Sequence, residues 1–400
     1  MTGPVAPAGG GPATSDVLVV GAGVIGAATA FHLCRLGAGR VTVLDRATVA
    51  SGMSSRSSAL VRMHYTFSGE VDLAVRSDAM FDAWTELTGR PACVRRTGFV
   101  RIVLPAEAGL LRANVAMQRE RGADAEIIDA AELARLAPGL RTDDIECAAW
   151  EPHGGYGDGS IVAGDLLAAA RERGARYRPN TPVAALITDG DRVTGVQTAA
   201  GPVYAGTVVL AAGVWSRPLL ASAGIDLPIE TELHHVAFAR HPAGAGISVA
   251  CIDSTTRTYF RPEAAGNLTL IGGEFGAGPR GADPDGTPLT PPDDLLAEIV
   301  GSAAHRLPVL AESGITRGIT GVLDMTPDAR PLLGEIPGHP GLIVAAGFSG
   351  TGFKISPAVG EALAELITSG AAAHVDLRPF RPSRFAEGAP ISPVLAYSDD

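Results

Sequence analysis

The stretch DVLVVGAGVIGAATAFHLCRLGAGRVTVLDR, Asp16 to Arg46, restricts the fold of this chain more than any other. A short β-branched strand, Val17 to Val20, runs into Gly21-Ala22-Gly23-Val24-Ile25-Gly26. An apolar helix follows to about Leu36, where Gly37 stops it, and a second strand, Val41 to Leu44, ends at Asp45. Gly21 permits a tight turn, Gly23 lets the backbone approach a pyrophosphate, and Gly26 allows helix and strand to pack closely. The helix N-terminus offers unpaired N–H groups and a positive dipole end to phosphates. Asp45, 19 residues past Gly26, can accept hydrogen bonds from ribose hydroxyls, and an acid there disfavours the 2′-phosphate of NADP. These parts together predict a Rossmann-like α/β unit holding a dinucleotide.

The residues beyond Asp45 separate FAD from NAD. The segment with Arg46, Ser51, Gly52, Ser54, Ser55, Arg56 and Ser57 is rich in small polar residues and does not continue as another βαβ repeat, as suits a cofactor lying extended along it. Thr181 to Ser216 reads as a meander around the turn Asp189-Gly190-Asp191. It brings Val183 and then Ala212, Gly213 and Trp215 to the expected cofactor site. Near the end, an apolar strand, Leu342 to Ala346, enters Gly347-Phe348-Ser349-Gly350-Thr351-Gly352-Phe353-Lys354. A helix is expected to start with Ser356 as N-cap and Pro357 at its first position, kept slender by Ala358 and Gly360. Lys354 is the only lysine among 32 basic residues, and a compact ammonium fits a cramped pocket where a planar guanidinium does not.

The glycine loop with Asp45, the VVLAAGVWS strand and the closing TPDARPLLGEIPGHPGLIVAAGFSGTGFK resemble the FAD-dependent D-amino acid oxidase superfamily, in order, from about Asp16 to Gly370. The sarcosine and dimethylglycine oxidase or dehydrogenase group is the most similar branch. The resemblance implies a Rossmann-like FAD-binding domain interleaved with an antiparallel-sheet (α+β) substrate domain. It implies hydride transfer to flavin N5 from the carbon beside an amine nitrogen, giving an imine that water hydrolyses. In such proteins a lysine at the GF-K position and an arginine just before an aromatic residue grip the substrate carboxylate. Those roles fall on Lys354 and on Arg62 in SALVRMHY, and Arg56 is a weaker candidate that can instead meet the cofactor phosphates. His64, Tyr65 and His235 are candidates for the amine proton. Tyr259 and Arg261, with Arg257 and His234, are further candidates for the pocket, although each is also an ordinary strand residue. Covalent relatives attach flavin through a cysteine or histidine. Gly321 and Ser57 stand at about those places, so noncovalent FAD is expected. Thr269 is read at the place of a lysine that speeds reaction with oxygen, so both oxygen and another redox partner stay open as acceptor. The same fold also serves 2-hydroxy acid or polyol oxidation, or a flavoprotein subunit of a multi-subunit amine dehydrogenase.

Four hundred residues suggest more than one core. The expected FAD-binding domain is discontinuous, 16–89, 152–225 and 318–378, with 90–151 and 226–317 forming the substrate domain. Leu73, Met80, Phe81, Trp84 and Leu87 take helical spacing, and strands recur later at LHHVAFAR, GISVACI, RTYFRP and LTLIGG. Residues 1–15 and 379–400 read as loose tails. A net charge of −11 disfavours nucleic acid or an anionic membrane as general partner. No run of about 18 apolar residues appears, so no membrane span is expected, and residues 1–15 lack the basic head and apolar run of a secretory signal. The four scattered cysteines suggest neither a metal cage nor a disulfide framework, and a cytoplasmic location fits best.

Overall fold

The computed structural model describes residues 13–242, 244–264, 267–276 and 280–398. Strand β1 (Ala13–Val20), helix α1 (Val24–Arg35) and strand β2 (Val41–Leu44) form the expected unit, and β1 pairs with β2 in parallel. The strand starts earlier than expected, because Ala13, Thr14 and Ser15 pair with Val203, Tyr204 and Ala205. Of the expected N-terminal tail, residues 1–12 lie outside the described residues.

An eight-stranded sheet is built around β1. The strand Gly201–Leu210 runs parallel to β1 along its length. On its other side it pairs first with Arg192–Thr198 of the hairpin and then, near its end, with Leu342–Ala346. Val20, Leu210 and Val344 are therefore neighbours in register; two of the strands leave the sheet there, at Gly21 and Ala211, and the third leaves two residues further on, at Gly347. Ligands of such sheets bind outside the carboxyl ends of the strands.

The second eight-stranded sheet holds the other core. Its order is Gly314–Met325, Glu230–Arg240, Leu268–Gly273, Thr258–Pro262, Ala250–Asp253, Phe99–Ile102, Ala148–Glu151 and Glu126–Ile128. Only the pairing of Ala250–Asp253 with Phe99–Ile102 is parallel. The strand Gly314–Met325 pairs with the whole of Glu230–Arg240, so the sheet continues through the boundary expected at residue 318.

The closing helix differs from expectation at its start. It spans Gly352–Ser369, with Thr351 at the N-cap and Pro357 inside it. Proline lacks the N–H that would bond the carbonyl four residues back. Ser356 Oγ donates to that carbonyl, Phe353 O, at 2.8 Å, which offsets the loss. Gly360 packs on α1 so closely that a Cβ there would lie 2.5 Å from the Ala28 carbonyl carbon.

The expected C-terminal tail is also ordered where described. Arg384 is fully buried, ion-paired with Asp328 at 2.8 Å, and Tyr397 is buried near the second sheet.

Candidate active site

A cavity of about 970 Å³ runs from the β1–α1 turn to the edge of the second sheet, at the upper end of the roughly 300–1,000 Å³ usual for ligand pockets. One end is made largely of backbone. A Cβ on Gly21 would lie 2.3 Å from Ala211 O, and one on Gly26 would lie 1.9 Å from Gly21 O, so both glycines are fixed by packing. A Cβ on Gly23 would meet only Ser54 Oγ, at 2.9 Å, and otherwise project into open space. Asp45 accepts from the Ala22 N–H at 2.8 Å and the Ala47 N–H at 2.8 Å, joining the loop to the end of β2 while still lining the cavity. Ser54 Oγ accepts from the Val24 N–H at 3.1 Å, drawing the serine-rich loop against the helix start.

Gly21, Gly23, Val24, Ile25, Asp45, Arg46, Ser51, Gly52, Ser54, Arg56 and Ser57 all line the cavity. So do Val183, Ala212, Gly213, Trp215, Ser349, Gly350, Thr351, Gly352, Phe353 and Lys354. Three residues expected to touch a cofactor stand behind the wall. Gly26 packs under Gly21, Ser55 turns its hydroxyl to Gly52 O at 3.1 Å, and Gly347 donates its N–H to Asp324 Oδ2 at 2.7 Å. Two glycine-lined backbone turns, a serine loop and the start of the helix Gly352–Ser369 thus bound an elongated space. That donor set and the bare Gly23 face fit the pyrophosphate and ring system of FAD.

At the other end the wall is side chains. Arg62 follows the short strand Leu60–Val61 and reaches the cavity from one side, and Lys354 reaches it from the closing helix. Both cations stand over the Tyr65 ring, with the guanidinium carbon 4.4 Å and the ammonium 5.7 Å from its centroid. Arg62 Nε is buried without a hydrogen-bond partner. Burial pushes the Lys354 ammonium well below the ordinary lysine range, and the charge of Arg62 adds to that. Glu70 pulls the other way but is committed to Arg330 at 2.5 Å. Among the described residues, neither Arg62 nor Lys354 forms an ion pair with a carboxylate. Two converging cations with no carboxylate bonded to either among the described residues make a site for a ligand anion.

Across the cavity, His234 Nε2 and the Tyr259 hydroxyl are 2.8 Å apart, and their rings lie parallel. Burial holds the His234 imidazole neutral, down at about 4, and lifts the Tyr259 hydroxyl to about 12. Leu60, Val236, Ile252 and Ile319 make this wall apolar.

His64, Tyr65 and Arg261 do not reach the cavity. Tyr65 is the floor beneath the two cations, and His64 turns away to the Tyr397 hydroxyl at 2.9 Å. Arg261 pairs with Glu263 at 2.9 Å and donates to Ser58 O at 2.6 Å, which ties the serine loop to the second sheet. His235 bonds Thr320 at 3.1 Å, and Arg257 is paired with Glu274 on the surface. Thr269 lies opposite Ala239, whose face belongs to the second core and not to the cavity, so it is not a roof residue. Gly321 and Ser57 do line the cavity.

Some lining residues had no local signal. Met53, whose sulfur accepts from the Val322 N–H at 3.1 Å, is one. Asp324 is another, and burial raises its carboxyl to about 6 against the opposing Gly347 N–H. Only strand pairing brings Asp324 beside the closing turn.

Residues 16–366 match the family described as DAO, FAD dependent oxidoreductase. Human mitochondrial sarcosine dehydrogenase is 27% identical over 381 residues, which cover 90% of this chain and 40% of that protein. The present chain thus spans less than half of that relative. Sarcosine oxidase subunit beta from Arthrobacter sp. is 27% identical and matches over 93% of this chain and 91% of its own. The crystal structure of L-proline dehydrogenase from P. horikoshii superposes with a TM-score of 0.87 at 28% identity, covering 95% of this chain and all of that one.

Proposed function

The chain belongs to the DAO family of FAD-dependent oxidoreductases, and from that premise we propose that it oxidises the C–N bond of an amino acid or N-alkyl amino acid to an imine. The observation that carries this reading is the convergence of Arg62 and Lys354 on one cavity, neither of them ion-paired with a carboxylate among the described residues. They bind the substrate carboxylate and so fix where its α-carbon lies. The relatives support an amine as the second group, since sarcosine and L-proline are secondary amino acids by their names.

FAD, held noncovalently because Gly321 and Ser57 offer no attachment chemistry, supplies the acceptor for the hydride. The chain's own groups do the rest. The amine must present a free lone pair before the neighbouring C–H can leave as hydride, so it binds in its neutral form after losing its proton to solvent. The Tyr259–His234 pair, whose imidazole is held down at about 4 and is therefore a weak base, orients that lone pair by hydrogen bonding. The N-terminus of the helix Gly352–Ser369 opens on the cavity through Thr351 and Gly352, where its dipole stabilises negative charge. The apolar wall of Leu60, Val236, Ile252 and Ile319 excludes water and faces the substrate's alkyl groups. Water then hydrolyses the released imine to an amine and a carbonyl acid. No second lysine exists to promote reaction with oxygen, so an acceptor other than oxygen fits best. Among the described residues no helix is long and apolar enough to cross a membrane.

Anaerobic bleaching of the flavin absorbance across a panel of amino, N-methyl amino and 2-hydroxy acids tests this. Secondary or primary amino acids should bleach it within seconds. Bleaching by hydroxy acids alone refutes the amine assignment.

A further inference from the structure

Arg62 is aimed by an irregular segment, because the strand before it ends at Val61 and the next helix starts at Ser68. Such a segment takes its shape from whatever backs it. Met63 donates its N–H to Glu151 Oε2 at 2.7 Å, and the Tyr65 carbonyl accepts from Gln118 Nε2 at 3.0 Å. Between them, the His64 ring faces the closing stretch of the chain. That stretch is pinned at three points. Ile391 donates to Asp328 at 2.9 Å, the Leu395 carbonyl accepts from Asn114 at 2.9 Å, and the Ser398 N–H donates to Glu107 at 2.7 Å. Tyr397 is buried between the last two pins, in a cluster with Val103, Leu111 and Val115. Its ring stands parallel to His64, its hydroxyl is 2.9 Å from His64 Nε2, and the Arg101 guanidinium lies 4.9 Å from its centroid. His64 is neutral, through burial first and then the guanidiniums of Arg101 and Arg62.

We propose that Tyr397 is a positioning residue for substrate binding, bracing through His64 the loop that aims Arg62 into the cavity. The residues from Ile391 to Ser398 are therefore part of the carboxylate-binding apparatus, although none of them touches the cavity. This role rests on the carboxylate clamp of Arg62 and Lys354 and adds to it the element that holds the clamp in place.

Tyr397→Phe keeps the ring and its packing and deletes the hydroxyl. In the FAD-loaded full chain, the Kd of a simple competitive carboxylate, read from the perturbed flavin spectrum, should rise about three- to tenfold, the loss of one buried hydrogen bond. With a substrate from the bleaching panel, KM should rise by the same factor while kcat stays within about twofold and FAD content is unchanged. Because the brace acts through Arg62, adding Tyr397→Phe to Arg62→Ala should cost nothing more. An unchanged Kd in Tyr397→Phe, or a full additional loss in the double variant, overturns the brace while leaving the clamp intact. Arg62→Ala with wild-type Kd removes both. Should Tyr397→Phe not accumulate as FAD-bound protein, Asn114→Ala decides, since it frees the Leu395 carbonyl without touching His64. The same rise confined to KM is expected, and its absence defeats the proposal.

Discussion

At the nucleotide end of the cavity the walls are backbone. Gly21, Gly23 and Gly26 sit within six residues of sequence, and Asp45 closes the unit 19 residues later. At the substrate end the walls are side chains: His234 and Tyr259 come from two strands of the second sheet, Lys354 from the closing helix and Arg62 from the irregular segment after Val61. At the first end backbone contacts leave no room for a side chain on Gly21 or Gly26, and the Asp45 carboxylate is held by backbone N–H groups. The second is tolerant of volume but depends on charges held without partners. Substitutions should therefore fail differently at the two ends, by misfolding or emptying at one and by weakened binding at the other.

The largest effect belongs to Gly26. A Cβ 1.9 Å from Gly21 O must displace backbone, so Gly26→Ala should cost about 3 kcal/mol or more and leave little folded protein. Gly23→Ala, whose Cβ meets only a serine hydroxyl, should fold with a melting temperature close to that of the wild-type apoprotein but hold no FAD. Thermal unfolding and flavin absorbance of the two variants, side by side, check this. Equal FAD content in Gly23→Ala and wild type would show that the open face of the turn is not where the cofactor lies.

At the substrate end, Arg62→Ala and Lys354→Met should each raise KM about 10- to 150-fold, the worth of a charge-assisted hydrogen bond of about 1.5–3 kcal/mol, with FAD retained. Lys354 adds a pH signature. Its ammonium is held well below the ordinary lysine range by burial and by Arg62, so it loses its charge earlier than a surface lysine as pH rises. Carboxylate affinity should fall with rising pH in the wild type and fall less in Lys354→Met. Parallel pH profiles for the two proteins would place the anion elsewhere.

The same contrast explains how much the sequence discloses. The glycine loop, β2 and Asp45 are local, and their spacing is their geometry. The strands of the second sheet are legible from alternation, and Leu268–Gly273 matches to the residue. The start of the closing helix is not, because Ser356-Pro357 has the composition of a helix N-terminus, whereas here the serine hydroxyl substitutes for the missing proline N–H. His64 and Tyr65 adjoin Arg62 in sequence, but the loop turns their side chains away from the cavity. No pattern within the last residues could reveal order, since Asp328, Asn114, Glu107 and His64 supply their anchors from far along the chain.

A smaller effect separates the two walls of the substrate end. Tyr259→Phe removes the hydroxyl bonded to His234 and leaves the cations untouched. It should lower kcat about tenfold with little change in KM, the worth of one hydrogen bond that orients the amine over the flavin. A change in KM alone would make Tyr259 a binding residue.

The smallest effect is a slope, and it comes from a carboxyl just outside the cavity. Glu151 accepts the Met63 N–H behind Arg62, and burial raises it to about 8, more than that hydrogen bond and the charge of Arg62 can offset. An acid whose folded pKa lies above its unfolded value of 4.5 contributes stability that is complete below 4.5 and is lost as pH climbs through 8. Glu151→Gln keeps an oxygen for Met63 and removes the titration. Urea unfolding at several pH values between about 5 and 9 should give a steeper decline for the wild type than for Glu151→Gln, so the variant gains relative stability as the solution becomes alkaline. Identical slopes would mean that Glu151 is ionised throughout, and that Arg62 already has its counter-charge in the protein. The substrate end would then lose the unpaired cation that distinguishes it from the nucleotide end.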